Sequence, residues 1–470
     1  MDPGLLRRTA EISGEYLASL AERPVGAGAS LEELRAALRV GLDDSSKPAP
    51  QVIEELVAAV DPGLVGTQSP RYFGFVIGGA LDAAIAADWL TSVWDQNAAG
   101  YPGGPAAAIA EEVACEWLLD ILGLPDDAGV GLTTGCQMAH FTCLAAARHR
   151  ALADAGWDVE ADGLFGAPPI RVFVGARAHT TVFAALRMLG MGSRRVKLVE
   201  DDDQGRMRAS ELERLLSSGE GPAIVIAQVG EVNTGAIDAV PVIARLAREH
   251  DAWCHVDGAF GLWAAASPTL RGLVDGVADA DSWATDAHKW LNVPYDCGVA
   301  IVRDRTAHAA AMNSFAGAEY IPQPQHDERY ESEWVPEFSR RARGFAVYAA
   351  LRELGRSGVA ALVDRCCGCA RLMAEELTRD SRVMVLNDVV LNQVLVRFAC
   401  DGANITDEVT DNAQREGTCW MSGTEWDGEP AMRISVCNWR TTEDDIRRSA
   451  RAILAQVDVA ARASAARASA

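Results

Sequence analysis

The chemistry of this chain begins at Asp286-Ala287-His288-Lys289-Trp290, downstream of His255-Val256-Asp257-Gly258-Ala259-Phe260. Lys289 stands among Trp283, Ala284, Thr285, Trp290 and Leu291, with few charged neighbours. Partial burial there is expected to lower the pKa of its amine and make it a usable nucleophile, whereas most lysines are solvated surface charges. Asp257 ends an apolar run, where a carboxylate without a partner is costly to bury. An amine that forms a Schiff base with an aldehyde, and an acid that keeps a pyridine nitrogen protonated, together hold and activate pyridoxal 5'-phosphate. The ring then accepts electrons from a substrate carbanion, which confines the chemistry to the bonds of an amino acid's α-carbon. The plainer use of Asp257 is to cap the segment after it.

Other residues fill out such a site. His179, in Arg177-Ala178-His179-Thr180-Thr181, follows a strand-like run and can stack on the ring face. Taken alone it reads as a hydrogen-bonded histidine at a strand end, and only the neighbouring motifs favour the stacking role. Thr133-Thr134-Gly135-Cys136-Gln137 opens a helical pattern that reaches Arg150. A small-residue turn at a helix start offers free N–H groups and the positive end of the dipole, so Gly135, Cys136 and Gln137 are candidate phosphate ligands, with His288 a further donor. Gly230-Glu231-Val232-Asn233-Thr234-Gly235 closes another strand. Its short polar side chains, Thr234 among them, either touch the cofactor or substrate or simply make a turn.

The polar stretch from Phe315 to Pro336 is interrupted by Pro322, Pro324 and Pro336. A loop of that length inside a domain is either functional or disordered. Tyr330 within it can donate a proton. Arg340 and Arg341 beyond it can fix a carboxylate, although surface ion pairing is the commoner fate of arginine. Cys366-Cys367-Gly368-Cys369 lacks a second ligand pair at zinc spacing and lies in an amphipathic helical pattern, so it reads as packing and no metal is expected.

The elements that must position these groups alternate between strand and helix. Residues 170–174, 196–199, 223–227, 253–256 and 299–302 read as strands separated by helical patterns, which implies a mostly parallel sheet with its site at the carboxyl ends of the strands. This predicts an α/β fold in three parts. The first is a helical segment over 1–75, the second a large cofactor-binding domain over 76–345, and the third a small α/β domain over 346–470. A helix runs from Arg343 to Leu354, and the Ala- and Arg-rich end from Ala460 is expected to fray. The first segment has few core-forming residues and is expected to lie against something else, plausibly a partner subunit.

Of 470 residues, 49% are hydrophobic and the formal net charge is −23. So acidic a surface, without a basic stripe, argues against nucleic acid. No apolar run reaches membrane length, Met1-Asp2-Pro3-Gly4 does not open a signal segment, and the eleven cysteines are scattered. A reducing cytosol suits that usage better than a disulfide framework.

Taken together, Ser69-Pro70-Arg71-Tyr72-Phe73, Leu122-Gly123-Leu124-Pro125, His255-Val256-Asp257-Gly258-Ala259, His288-Lys289-Trp290 and Tyr295-Asp296-Cys297 resemble the group II pyridoxal-phosphate decarboxylases. That family includes the aromatic-L-amino-acid, glutamate, tyrosine and diaminobutyrate decarboxylases. The resemblance runs from Ser69 to Trp439. It implies fold type I and a homodimer with active sites at the subunit interface. By it, Lys289 is the Schiff-base lysine, Asp257 the ring-nitrogen partner, His179 the stacking residue and Ala259 the packing behind the ring. Cys136, Gln137 and His288 fall on phosphate-binding positions. Tyr330 falls near the loop tyrosine that protonates the carbanion, with Tyr320 its substitute. Phe75, Trp94 and Tyr101 would line the substrate pocket. Gln137, Met138, Glu231 and Asp286 depart from the family pattern, the last putting an acid near a phosphate.

The expected activity is decarboxylation of an L-amino acid, aromatic or bulky, to the amine and carbon dioxide. The rival keeps the cofactor and breaks another bond, as an aldolase, an aminotransferase or an oxygen-coupled decarboxylase. A non-catalytic binding protein is more distant, since a pure binder has little need of the Lys289–Asp257 pair.

Overall fold

The computed structural model describes residues 3–313 and 328–468. Met1–Ile77, Arg371–Leu386 and Val394–Ala470 make one unit, and Gly78–Ala370 with Asn387–Gln393 make the other. The division between the two units at Ala370 and Arg371 falls inside the helix Gly344–Leu377. That helix is broken at Gly355 (φ 60°, ψ 178°), which is why the helical pattern ends at Leu354 in the sequence.

The first unit holds α1 (Pro3–Ser19), α2 (Leu31–Leu38), α3 (Ala49–Val60) and the two-residue β1 (Tyr72–Phe73). Ser30 and Glu33 start α2 with a reciprocal capping box, each side chain taking the other residue's N–H. The N-terminal segment does not stand apart from the C-terminal residues, because β1 pairs in parallel with Trp420–Trp426 of their sheet. The Ala- and Arg-rich end does not fray at Ala460. It continues the helix Glu443–Ala468, since Ala and Arg are among the strongest helix formers.

The second unit is built on seven strands: β2 (Gly129–Thr133), β3 (Arg171–Gly175), β4 (Lys197–Val199), β5 (Ala223–Gln228), β6 (Ala252–Asp257), β7 (Ser282–Asp286) and β8 (Gly298–Val302). Their order is β2-β8-β7-β6-β5-β3-β4. From β7 to β4 every pairing is parallel, whereas β8 runs antiparallel to both β2 and β7. β2 therefore points the same way as β7, and Thr133, Asp286, Asp257 and Gln228 end on one edge of the sheet. Strands β6, β7 and β8 are buried along their whole length, as central strands covered on both faces must be.

Helices α4 (Asp82–Trp94), α5 (Pro105–Leu122) and α6 (Cys136–Asp154) belong to this unit. Along α6, Cys136, Ala139, His140, Cys143, Leu144 and Ala147 repeat at helical spacing and bury one face. They pack into a core with Val172, Ile224, Ile226, Ala284 and Ala300. Cys366, Cys367 and Cys369 are all buried. Among the described residues no helix is long and apolar enough to cross a membrane.

Candidate active site

Two turns and a strand end meet at the carboxyl edge of the sheet. After β7 the chain passes through His288 and Lys289; after β2 it turns into α6 at Gly135. Lys289 Nζ lies 3.0 Å from Asp286 Oδ2, while Asp286 Oδ1 accepts the Cys136 N–H at 2.6 Å. The first amide of α6 and the lysine amine are therefore gripped by one carboxylate. A side-chain carbon at Gly135 would come within 3.3 Å of the His288 ring, so glycine keeps that space open. His288 Nδ1 accepts the Cys297 N–H at 3.1 Å, which leaves Nε2 to carry the proton, 3.5 Å from Asp286. Tyr295 stacks on the same ring at 4.3 Å between centroids.

Electrostatics here correct one expectation. Burial does lower the pKa of Lys289, but Asp286, with Cys136 and Asp257, outweighs it and holds the ammonium above the ordinary lysine value. The side chain keeps 21% of its surface exposed.

Asp257 ends β6 and is 4% exposed. Oδ1 accepts the Ala259 N–H at 3.1 Å, and Oδ2 lies 3.5 Å from His140 Nε2. Burial alone would raise this carboxyl. His140 overcomes that, helped by His179 and Lys289, and Asp257 is held well below the usual carboxylate range. Cys136 Sγ is also 3.5 Å from His140 Nε2. Lys289, Asp286, Cys136, His140 and Asp257 thus form one unbroken run of contacts. Gln137 is exposed in the first turn of α6. His179 caps the helix Thr180–Met188, its Nδ1 2.8 Å from Thr181 Oγ1, and its ring is exposed. Both the capping use and availability to a ligand hold for it.

Other candidates do not join this set. The Thr234 hydroxyl is fully buried, 2.7 Å from the Gln204 carbonyl and 3.1 Å from Glu231, so it makes the turn. The Arg340 guanidinium is spent on Glu111 at 2.8 Å and the carbonyls of Ala98 and Leu132 at 3.0 and 2.6 Å, with no exposed side-chain surface to offer a substrate carboxylate. Tyr330, expected as a proton-donating loop tyrosine, is 3% exposed and packs against Gly100. Tyr320 lies outside the described residues. Trp94 is half exposed and meets Phe345 edge-on at 5.1 Å, and Tyr101 is partly exposed. Phe75 belongs to the first unit, where it stacks on Trp420 at 5.7 Å.

Sequence reasoning missed His140 and Gly78. His140 was visible as the residue one helical turn after Cys136, on the same face. Gly78 had no local signal: a side-chain carbon there would run into the Lys289 carbonyl.

A partly exposed lysine, a buried anion and a helix start on one sheet edge are the donor set that pyridoxal phosphate requires, and the residues fit it. The fold is that of the type I pyridoxal-phosphate enzymes. A rice tryptophan decarboxylase solved with pyridoxal phosphate and tryptamine superimposes with a TM-score of 0.88 over 97% of this chain and 99% of its own, at 23% identity. In sequence, the chain is 27% identical to tryptophan decarboxylase 1 of Oryza sativa subsp. japonica, over 94% of this chain and 91% of that one. It is 25% identical to an aromatic-L-amino-acid decarboxylase of Bacillus atrophaeus, over 92% and 90%. Residues 32–399 match the pyridoxal-dependent decarboxylase conserved domain, and the chain belongs to that family. It is a pyridoxal-phosphate-dependent carboxy-lyase acting on an amino acid.

Proposed function

We propose that this enzyme decarboxylates a bulky, aromatic L-amino acid to its amine, as a homodimer in the cytoplasm, with Lys289 and Asp257 as its principal groups. The observation that carries the residue roles is the contact run from Lys289 through Asp286, Cys136 and His140 to Asp257, each step 3.5 Å or less. Bound pyridoxal phosphate supplies the sink for the electron pair released as carbon dioxide leaves. Lys289 Nζ would attach the cofactor and afterwards carry the proton returned to Cα, since Tyr330 is packed away. Asp257, held ionised, would pair with the ring nitrogen. Gln137 and His288 Nε2 would hold the phosphate at the start of α6, where Asp286 takes the Cys136 N–H, and His179 would stack on the ring. Trp94 and Tyr101 offer aromatic surface to the substrate, and the substrates named for the two relatives above agree with that preference.

The dimer is supported by the N-terminal helices. None of α1, α2 and α3 has a buried residue, and Leu6, Leu31, Leu38, Val52 and Leu56 are exposed. So much exposed apolar surface marks an interaction face, consistent with residues 1–75 acting as a dimerisation segment. The test is a panel of L-amino acids offered to the cofactor-loaded enzyme, with products identified by mass spectrometry and the assembly sized by sedimentation. Amine and carbon dioxide from tryptophan, tyrosine or phenylalanine support the reading. Aldehyde or keto-acid products, or turnover of acidic substrates alone, refute it.

A further inference from the structure

Trp253, His255 and Asp257 alternate along β6 and share one face. Ser282 is the cross-strand partner of His255 on β7, and His140 on α6 packs on the same side. The Trp253 Nε1–H donates to Ser282 Oγ at 2.8 Å, and Ser282 Oγ lies 2.9 Å from His255 Nδ1. His255 Nε2 lies 2.9 Å from His140 Nδ1, and His140 Nε2 lies 3.5 Å from Asp257 Oδ2. Ser282, His255 and His140 have no exposed surface.

The ends of this chain have fixed and opposite character. An indole N–H only donates, and an ionised carboxylate only accepts. Ser282 Oγ accepts from Trp253 and keeps its own proton to give to His255 Nδ1. His255 must then carry its proton on Nε2 and give it to His140 Nδ1, which leaves the His140 proton on Nε2, facing Asp257. With both rings neutral, the reverse direction would point a nitrogen lone pair at a carboxylate oxygen, and only an imidazolium at His140 would avoid that. Burial, which pushes His255 down to about 3, agrees with a neutral ring.

We propose that Trp253, Ser282, His255 and His140 form a one-way hydrogen-bond chain that holds His140 neutral as a donor to Asp257, so that Asp257 stays oriented while its negative charge remains available to the ring nitrogen. His140, His255 and Ser282 are positioning residues. A neutral donor steers the carboxylate without cancelling it, whereas an imidazolium there would compete with the pyridinium for the same charge. The inference rests on Asp257 being the ring-nitrogen partner.

The chain is tested on cofactor-loaded enzyme carrying 15N-histidine, with the His140 signals assigned by His140→Asn. Both rings are expected neutral, with Nε2 protonated and Nδ1 bare. Ser282→Ala is expected to raise the cofactor dissociation constant about tenfold, the effect of one lost hydrogen bond, and Ser282→Thr to restore it. A proton on Nδ1 of either ring, an imidazolium at His140, or an unchanged dissociation constant in folded Ser282→Ala overturns the proposal. So does a divalent ion on Nε2, which Cys136, His140 and Asp257 could hold with donors all within 4.8 Å of one another. If Ser282→Ala does not fold, the wild-type ring protonation still decides. Correct protonation without carbon dioxide release faults the decarboxylase reading alone, and carbon dioxide release with the other protonation faults this chain alone.

Discussion

Asp286 holds Lys289 by an ion pair of 3.0 Å while its other oxygen caps α6 at the Cys136 N–H. The lysine proposed to attach the cofactor and the first amide of α6 are therefore restrained by the same side chain. Asp286→Asn keeps an oxygen for Cys136 but removes the charge that raises the lysine pKa. The neutral amine fraction then grows at any given pH, so the pH profile of cofactor capture should move down by about 1–3 units. Absorbance on mixing the cofactor-free variant with pyridoxal phosphate reads the shift, and an unmoved profile means Asp286 does not control the amine.

Lys289→Ala should lose both the absorbance of the lysine-attached cofactor and measurable carbon dioxide release. Retained turnover in this variant would remove Lys289 from the reaction altogether.

Arg340→Ala should destabilise the enzyme by about 3–5 kcal/mol, since it leaves Glu111 buried without its partner. Denaturant unfolding measures the cost. A raised KM at wild-type stability would instead restore the carboxylate-binding role.

Glu331 has no exposed surface, and neither carboxylate oxygen has a hydrogen bond. Burial, then repulsion from Glu111, push it up to about 7 against the pull of Arg329 and Arg340. The folded state thus binds this proton more tightly than the unfolded chain, and the contribution to stability falls as pH rises from the ordinary glutamate range to 7. Glu331→Gln should remove this slope and gain about 3 kcal/mol above pH 7, with little gain at pH 4. Urea unfolding across that range checks it, and parallel curves for the two proteins would contradict it.

Gly78→Ala should disturb the Lys289 backbone, costing about 1–3 kcal/mol as an overpacked site and weakening cofactor binding. Normal loading at wild-type stability would mean that the two segments can part without penalty.

Much of the large unit was legible because β5, β6 and β8 are continuous apolar runs, and because Lys289 and Asp257 follow strands. β2 and β7 carry no clear strand signal, since Gly-Val-Gly-Leu-Thr and Ser-Trp-Ala-Thr-Asp owe their conformation to pairing with β8 and not to local preference. Chain position placed Arg340 and Tyr330 near the site, but burial decided otherwise. The rise in the Lys289 pKa was hidden because it depends on Asp286 reaching back three residues to the amine, a geometry that spacing alone does not set.

The glycines at 78, 135 and 298 have a practical meaning for anyone altering substrate scope. Gly298 would drive a side-chain carbon into the Gly135 backbone, just as Gly78 would meet that of Lys289. Randomised libraries that include positions 78 and 298 would mostly collect misfolded clones. Diversity placed at Trp94 and Tyr101, which are exposed and partly exposed, leaves the catalytic scaffold intact.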